Sequence, residues 1–283
     1  MQKHPWFNLQ LHTDDELSVL LGSSITQRVT LHEWPLSCVQ RIETVDEQRW
    51  IYKTQSGPSV EAQFYAQARS NLLVTARTIY QQDGDVILLL EPIDAPLMED
   101  LNLSAESVLQ LGSELQGAIA AIQGNIPVLF DVSSPDKWRS MVTATLDQLR
   151  TLVAGGQFQQ VTLDMLAALQ QRALSGAVLA VTQQPQGLVH GDLTGDNLFI
   201  LPDGGYRLID WARPFWGSAA VDLAALLESL GHDPLSQVES SVVTMLYMLR
   251  INWLTQCAAR WFPAGVATYD EQIAGLIGQI TSL

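Results

Sequence analysis

The chain is short of cysteine, of basic residues and of long apolar runs, and each shortage removes a class of protein. Two cysteines in 283 residues, Cys38 and Cys257, cannot build a disulfide framework. Neither has a His or Cys close by at metal-ligand spacing, so a reduced, cytoplasmic setting is expected. Lys and Arg total 15 against 30 Asp and Glu, a net charge of -15. A field of that sign repels phosphate backbones and anionic lipid, so neither nucleic acid nor a membrane is an expected partner. No apolar run approaches the roughly 20 residues that cross a bilayer. Residues 1–10 are polar and lack the apolar stretch of a secretory signal. Internal repeats and low-complexity segments are missing as well. What is present is a hydrophobic content of 47%, enough to bury a substantial core in one large domain or two lobes.

The first third reads as a sheet with one helix. Residues 25–32, 37–43 and 49–54 alternate and are rich in β-branched side chains, with a polar turn at Val45-Asp46-Glu47-Gln48. Ser56-Gly57-Pro58-Ser59 then interrupts the chain before a helix over 60–70. Residues 72–80 and 86–91 form a hairpin across Asp83-Gly84. From Pro92 onward the pattern turns helical. Ser104 caps a helix reaching about residue 124, and Ser134-Pro135 opens another that ends near Gly155. Residues 163–174, 219–230, 237–261 and 270–280 complete the helical part. Residues 91–95 lack a linker's composition and read as a hinge. The predicted division is 1–93 and 94–283.

The chemistry concentrates in His190-Gly191-Asp192-Leu193-Thr194-Gly195-Asp196-Asn197, followed by Leu208-Ile209-Asp210-Trp211. Between them lie a short apolar strand (198–201), the turn Asp203-Gly204-Gly205 and a second strand (206–209), which is a hairpin signal. Folding back makes Asn197 and Asp210 neighbours. An amide oxygen and a carboxylate side by side, with another carboxylate five residues upstream, suit a hard cation such as Mg2+ and a polyphosphate.

The pattern His-Gly-Asp-x-x-x-x-Asn with a downstream Ile-Asp-Trp resembles the aminoglycoside phosphotransferase and choline kinase-like family. The resemblance implies an α+β, protein-kinase-like fold of two lobes, an antiparallel-sheet N-terminal lobe with one helix and a mainly helical C-terminal lobe. It implies ATP or GTP as phosphate donor, Mg2+, and a small hydroxylated acceptor. Asp192 takes the place of the catalytic base, and Asn197 and Asp210 that of the metal ligands. Lys53, on the third strand, and Glu61, opening the next helix, take that of the ion pair that meets the nucleotide phosphates. Glu91 and Ile93 fall at the hinge that meets the purine through backbone groups, with Leu88 and Leu90 either beside it or in the core. His190 supports the catalytic loop, and Asp222 resembles the buried Asp that hydrogen-bonds it. Asp196, between motif positions, is expected in solvent or locally hydrogen-bonded.

One segment departs from the pattern. The phosphate-covering loop falls at His32-Glu33-Trp34-Pro35-Leu36-Ser37, which has no glycine to let amides approach phosphate. Only residues 211–221 separate Asp210 from Asp222, too few for a peptide-docking activation segment, which favours a small acceptor over a protein. The acidic balance suits an amine-bearing alcohol: aminoglycoside-, choline-, fructosamine- and homoserine-like acceptors all fit. Tyr247, Trp253, Trp261, Glu228 and the stretch 138–175 are candidate acceptor contacts. A fold retained for non-catalytic nucleotide or partner binding is the alternative reading.

Overall fold

The computed structural model describes residues 1–82 and 84–283; Asp83, assigned above to a hairpin turn, lies outside the described residues. The N-terminal part carries β1 (Gln2–Lys3), β2 (Gln10–Leu11), α1 (Asp14–Leu21), β3 (Ile25–Trp34), β4 (Ser37–Thr44), β5 (Arg49–Gln55), α2 (Glu61–Gln67), β6 (Ala76–Gln82) and β7 (Asp85–Leu90). Then come α3 (Ala105–Ala120), β8 (Phe130–Asp131), α4 (Pro135–Ala154), α5 (Leu163–Ala173), α6 (Gly176–Val181), β9 (Gly187–Val189), β10 (Leu198–Ile200), β11 (Tyr206–Leu208) and β12 (Phe215–Gly217). The chain closes with α7 (Ala220–Ser229), α8 (Ser240–Gln256), a π-turn at Cys257–Trp261, and α9 (Val266–Ser282).

The α+β expectation holds, with one correction: the N-terminal part contains two helices rather than one. Helix α1 is built by a capping box in which the Thr13 side chain accepts from Glu16 N and Glu16 reaches back to Thr13 N, and Gly22 at φ 72° ends it.

The chain divides into two compact units. Unit 1 comprises Met1–Met98, Ile122–Leu129 and Asp196–Arg213; unit 2 comprises Glu99–Ala121, Phe130–Gly195 and Pro214–Leu283. The β10–β11 hairpin and residues 122–129 fall in unit 1 with the N-terminal sheet. In unit 1 the sheet runs β3-β4-β5-β7-β6, antiparallel throughout. Leu17, Ile42, Tyr52, Ile87 and Leu89 form one buried cluster there; Ala62, Val74, Leu88 and Leu90 form another, with Ile209 packed against it. Leu88 and Leu90 are therefore core.

Unit 2 packs most of its helices around a large core. Trp138, Leu146, Leu149, Leu169, Met245 and Ile277 are among its fully buried members. The indole of Trp138 donates to Ala173 O at 2.8 Å, which fixes α4 on α5 and makes Trp138 a core residue. Asp270 of α9 is buried and accepts three backbone amides, Gln159 N and Gln160 N on Oδ2 (2.7 and 2.8 Å) and Val161 N on Oδ1 (3.0 Å). That single carboxylate holds the loop between α4 and α5.

Candidate active site

In unit 1 the site is built on the middle of the sheet. Lys53 lies on β5, flanked by Val39 of β4 and Leu88 of β7, so its stem is enclosed and its residue only 8% exposed. Glu61 opens α2, where its amide donates to Ser59 Oγ at 3.2 Å. Asp210 follows β11. Lys53 Nζ sits 2.7 Å from Glu61 Oε2 and 2.9 Å from Asp210 Oδ1. The three residues expected to serve nucleotide and metal are thus one cluster.

The electrostatics follow from two carboxylates on one ammonium. Burial alone would depress Lys53; the charge of Asp210 and then that of Glu61 outweigh it and hold the ammonium above the ordinary lysine value. Burial raises Glu61, against the pull of Lys53, and the charge of Asp210 raises it further.

Sequence-distant contacts hold Asp210 in place. Val60 N donates to Ala212 O at 3.1 Å, and Phe64 of α2 stacks on Trp211 with ring centroids 4.3 Å apart. Trp211 is fully buried, and its indole donates to Leu208 O at 3.0 Å. Asp210 itself has φ 62°, a left-handed conformation that costs a non-glycine residue on the order of 1–3 kcal/mol and gathers at functional sites. In the β10–β11 hairpin Leu198 faces Leu208, and Ile209 N donates to Asn197 O at 3.0 Å. Asn197 and Asp210 therefore flank the open end of one hairpin. Asp196 is exposed.

Between β3 and β4 only Pro35 and Leu36 form a turn, with Trp34 paired to Ser37. The strands run through most of the expected phosphate loop. Near its base His4 Nε2 lies 3.2 Å from Glu33 Oε2, and with Cys38 these form a His-Glu-Cys cluster. The cluster does not suit a metal. His4 Nδ1 accepts from Trp6 N and Phe7 N, which places the ring proton on Nε2, the atom a metal would need. Burial pushes the Cys38 thiol up to about 11.

At the hinge, Glu91 N donates to Thr75 O at 2.9 Å, and Pro92 has no donor. A cavity of about 230 Å³ opens beside it, lined by Thr75, Glu91, Ile93, Leu201 and Arg207 among others.

Unit 2 holds the loop that carries Asp192. Asp222 is 2% exposed and accepts His190 N on Oδ2 (2.7 Å) and Gly191 N on Oδ1 (3.0 Å). Burial pushes its carboxyl up to about 7, the two amides pull it back, and the charge of Asp192 adds to the rise. His190 is buried, and its Nδ1 accepts from Asp192 N at 3.3 Å, so the ring shapes the loop rather than facing solvent. Thr194 Oγ1 donates to Asp192 O at 3.3 Å. Gly195, closing the loop, donates its amide to Ser229 Oγ at 3.1 Å.

Of the candidate acceptor contacts, Glu228 accepts from Tyr247 Oη at 2.9 Å and is ion-paired with Arg250. Its charge is already matched. The reading of the sequence missed Phe64, Trp211 as its partner, and Ser229. Phe64, one helical turn after Glu61, was the one of these with a spacing signal.

These features define the class: a small-molecule phosphotransferase with a kinase-like fold. The sequence profile of the phosphotransferase enzyme family matches residues 41–244, and the chain belongs to that family. Solved structures share its fold at low identity. The aminoglycoside phosphotransferase APH(4)-Ia is 14% identical with a TM-score of 0.62, covering 95% of this chain and 98% of its own. A choline/ethanolamine kinase family protein from Mesorhizobium loti is 13% identical at 0.58, covering 90% and 87%. Spectinomycin phosphotransferase APH(9)-Ia, solved with ADP and spectinomycin, is 14% identical at 0.53, covering 97% and 100%. No curated protein sequence matches the chain. Among the described residues no helix is long and apolar enough to cross a membrane.

Proposed function

We propose that this protein transfers the γ-phosphate of ATP or GTP to a hydroxyl of a small, amine-bearing molecule in the cytoplasm. Asp192 serves as the base, and Asn197 and Asp210 hold Mg2+. The observation that carries the reading is the Lys53–Glu61–Asp210 cluster, with Lys53 and Glu61 buried, in a member of this family. The residues that would hold Mg2+ suit it: the Asn197 amide oxygen and the Asp210 carboxylate are hard ligands. The Tyr65 hydroxyl is buried without a hydrogen-bond partner among the described residues, the condition of a polar group whose partner arrives with a ligand. When bound, Mg2+ neutralises charge on the phosphates.

The chain's own residues do the rest. Lys53 meets the nucleotide phosphates, and Glu61 keeps its ammonium charged and directed. Backbone groups of Glu91 and Ile93 meet the purine. Asp192 orients the acceptor hydroxyl and takes its proton as bonding to phosphorus develops. His190 and Asp222 hold the loop on which Asp192 rides.

The test has two stages. Mg-ATP and Mg-GTP should each be tried for a thermal shift; a nucleotide at a hundredfold excess over its dissociation constant adds about 2.7 kcal/mol of stability. Nucleoside diphosphate release is then followed across amino-sugars, amino alcohols and sugar amines. Absence of both stabilisation and acceptor-dependent release sinks the proposal. Asp192→Asn should bind nucleotide normally and lose about two to four orders of magnitude in turnover.

A further inference from the structure

We infer that Ser229 is a positioning residue for Asp192, the second of two anchors that fix the catalytic loop to helix α7. The inference rests on the reading of Asp192 as the base. Helix α7 touches the loop at both of its ends. In its first turn Asp222 receives the amides of His190 and Gly191; in its last turn Ser229 Oγ receives the amide of Gly195 at 3.1 Å. The Ser229 hydroxyl proton is already committed to Leu226 O at 2.9 Å, so the oxygen is oriented as an acceptor toward the loop.

The two anchors bracket a short loop. Seven helical steps separate Asp222 from Ser229, about 10 Å of rise. The four steps from Gly191 to Gly195 reach at most about 14 Å. Asp192 lies within this short span. Gly195 is buried, so its amide has no ready exchange of Ser229 for water. The approach is also close: a Cβ at Gly195 would meet Leu230 Cδ2 at 2.7 Å and the Cβ and N of Glu99 at 3.1 Å. A side chain at Gly195 would require Leu230 and Glu99 to give way for the Ser229 bond to be kept. A loop held at one end only would let the Asp192 carboxylate wander, and misplacement of a reacting group by about 1 Å costs on the order of a hundredfold in rate.

The experiment compares Ser229→Ala, Ser229→Thr and Asp192→Asn. Three readouts are taken: amide hydrogen exchange of residues 190–196, ADP release from Mg-ATP with water as acceptor, and Mg-ATP affinity. In Ser229→Ala the Gly195 amide should exchange about tenfold faster or more while His190 and Gly191 keep their protection. ADP release should fall about tenfold or more with Mg-ATP affinity unchanged, because Lys53 and Asp210 are untouched. Ser229→Thr keeps the oxygen and should restore both. Should Ser229→Ala fold poorly, Gly195→Ala, which displaces the loop from the same oxygen, is expected to show the same kinetic loss. Unaltered exchange at Gly195, wild-type ADP release in Ser229→Ala, or a Thr variant as slow as the Ala variant each overturns the inference. Full turnover in Asp192→Asn removes the base reading and the positioning role with it. An inactive Asp192→Asn beside a Ser229→Ala with wild-type turnover overturns the Ser229 inference alone.

Discussion

Replacing Asp222 by Asn should change stability by an amount that depends on pH. Burial raises this carboxyl from its ordinary 3.8 to about 7, even against two amide hydrogen bonds. Below the unfolded value both states hold the proton, and the contribution to stability is fully present. As pH rises toward the folded value, the native protein keeps a proton that the unfolded chain has released, so stability falls; above it the loss is complete. About three pH units at roughly 1.4 kcal/mol each make this loss on the order of 4 kcal/mol. Asparagine does not titrate. Urea unfolding of both proteins between about pH 4 and pH 8 should therefore show their difference moving by about 4 kcal/mol in favour of the variant. The same variant should turn over more slowly at every pH. One amide oxygen cannot receive both His190 N and Gly191 N, and the amide NH2 would face one of these donors. Parallel stability curves for the two proteins would refute the reasoning, because they would mean that Asp222 titrates alike in both states.

Lys53→Met should destabilise by about 3–5 kcal/mol, since it strands the Glu61 carboxylate, and Lys53→Met with Glu61→Gln should recover much of that in urea titrations; a double variant no better than the single one contradicts the ion-pair account. Asp270→Ala leaves three amides of the 159–161 loop without their acceptor and should cost about 3 kcal/mol in thermal unfolding, with Mg-ATP affinity unaltered. Trp211→Ala removes the stack on Phe64 and should cost about 3–5 kcal/mol. It should also weaken Mg-ATP binding in calorimetry, because Asp210 loses its support; unchanged affinity would show that the hairpin alone sets Asp210.

Local signals in this chain were read well where they repeat or terminate. The strands from 25 to 54, the capped helices after Ser104 and Ser134, and the hairpin that brings Asn197 beside Asp210 follow from alternation, caps and a glycine turn. Helix α1 was legible too, in the Thr13-x-x-Glu16 spacing, and went unread. Strands β8, β9 and β12 are two or three residues long and show no period; they exist because they pair with one another.

The order of acidic, basic and amide residues along the chain, and the family to which it belongs, are properties of sequence alone. Which of those residues touch is not. Lys53 meets Asp210 across 157 positions, and Asp222 meets the loop across 31 and 32. The strained backbone of Asp210, the stack of Phe64 on Trp211 and the hold of Ser229 on Gly195 likewise arise only after distant segments pack. Propensity acts within a few residues, whereas the charge state and aim of a buried side chain are set by whatever the fold brings against it.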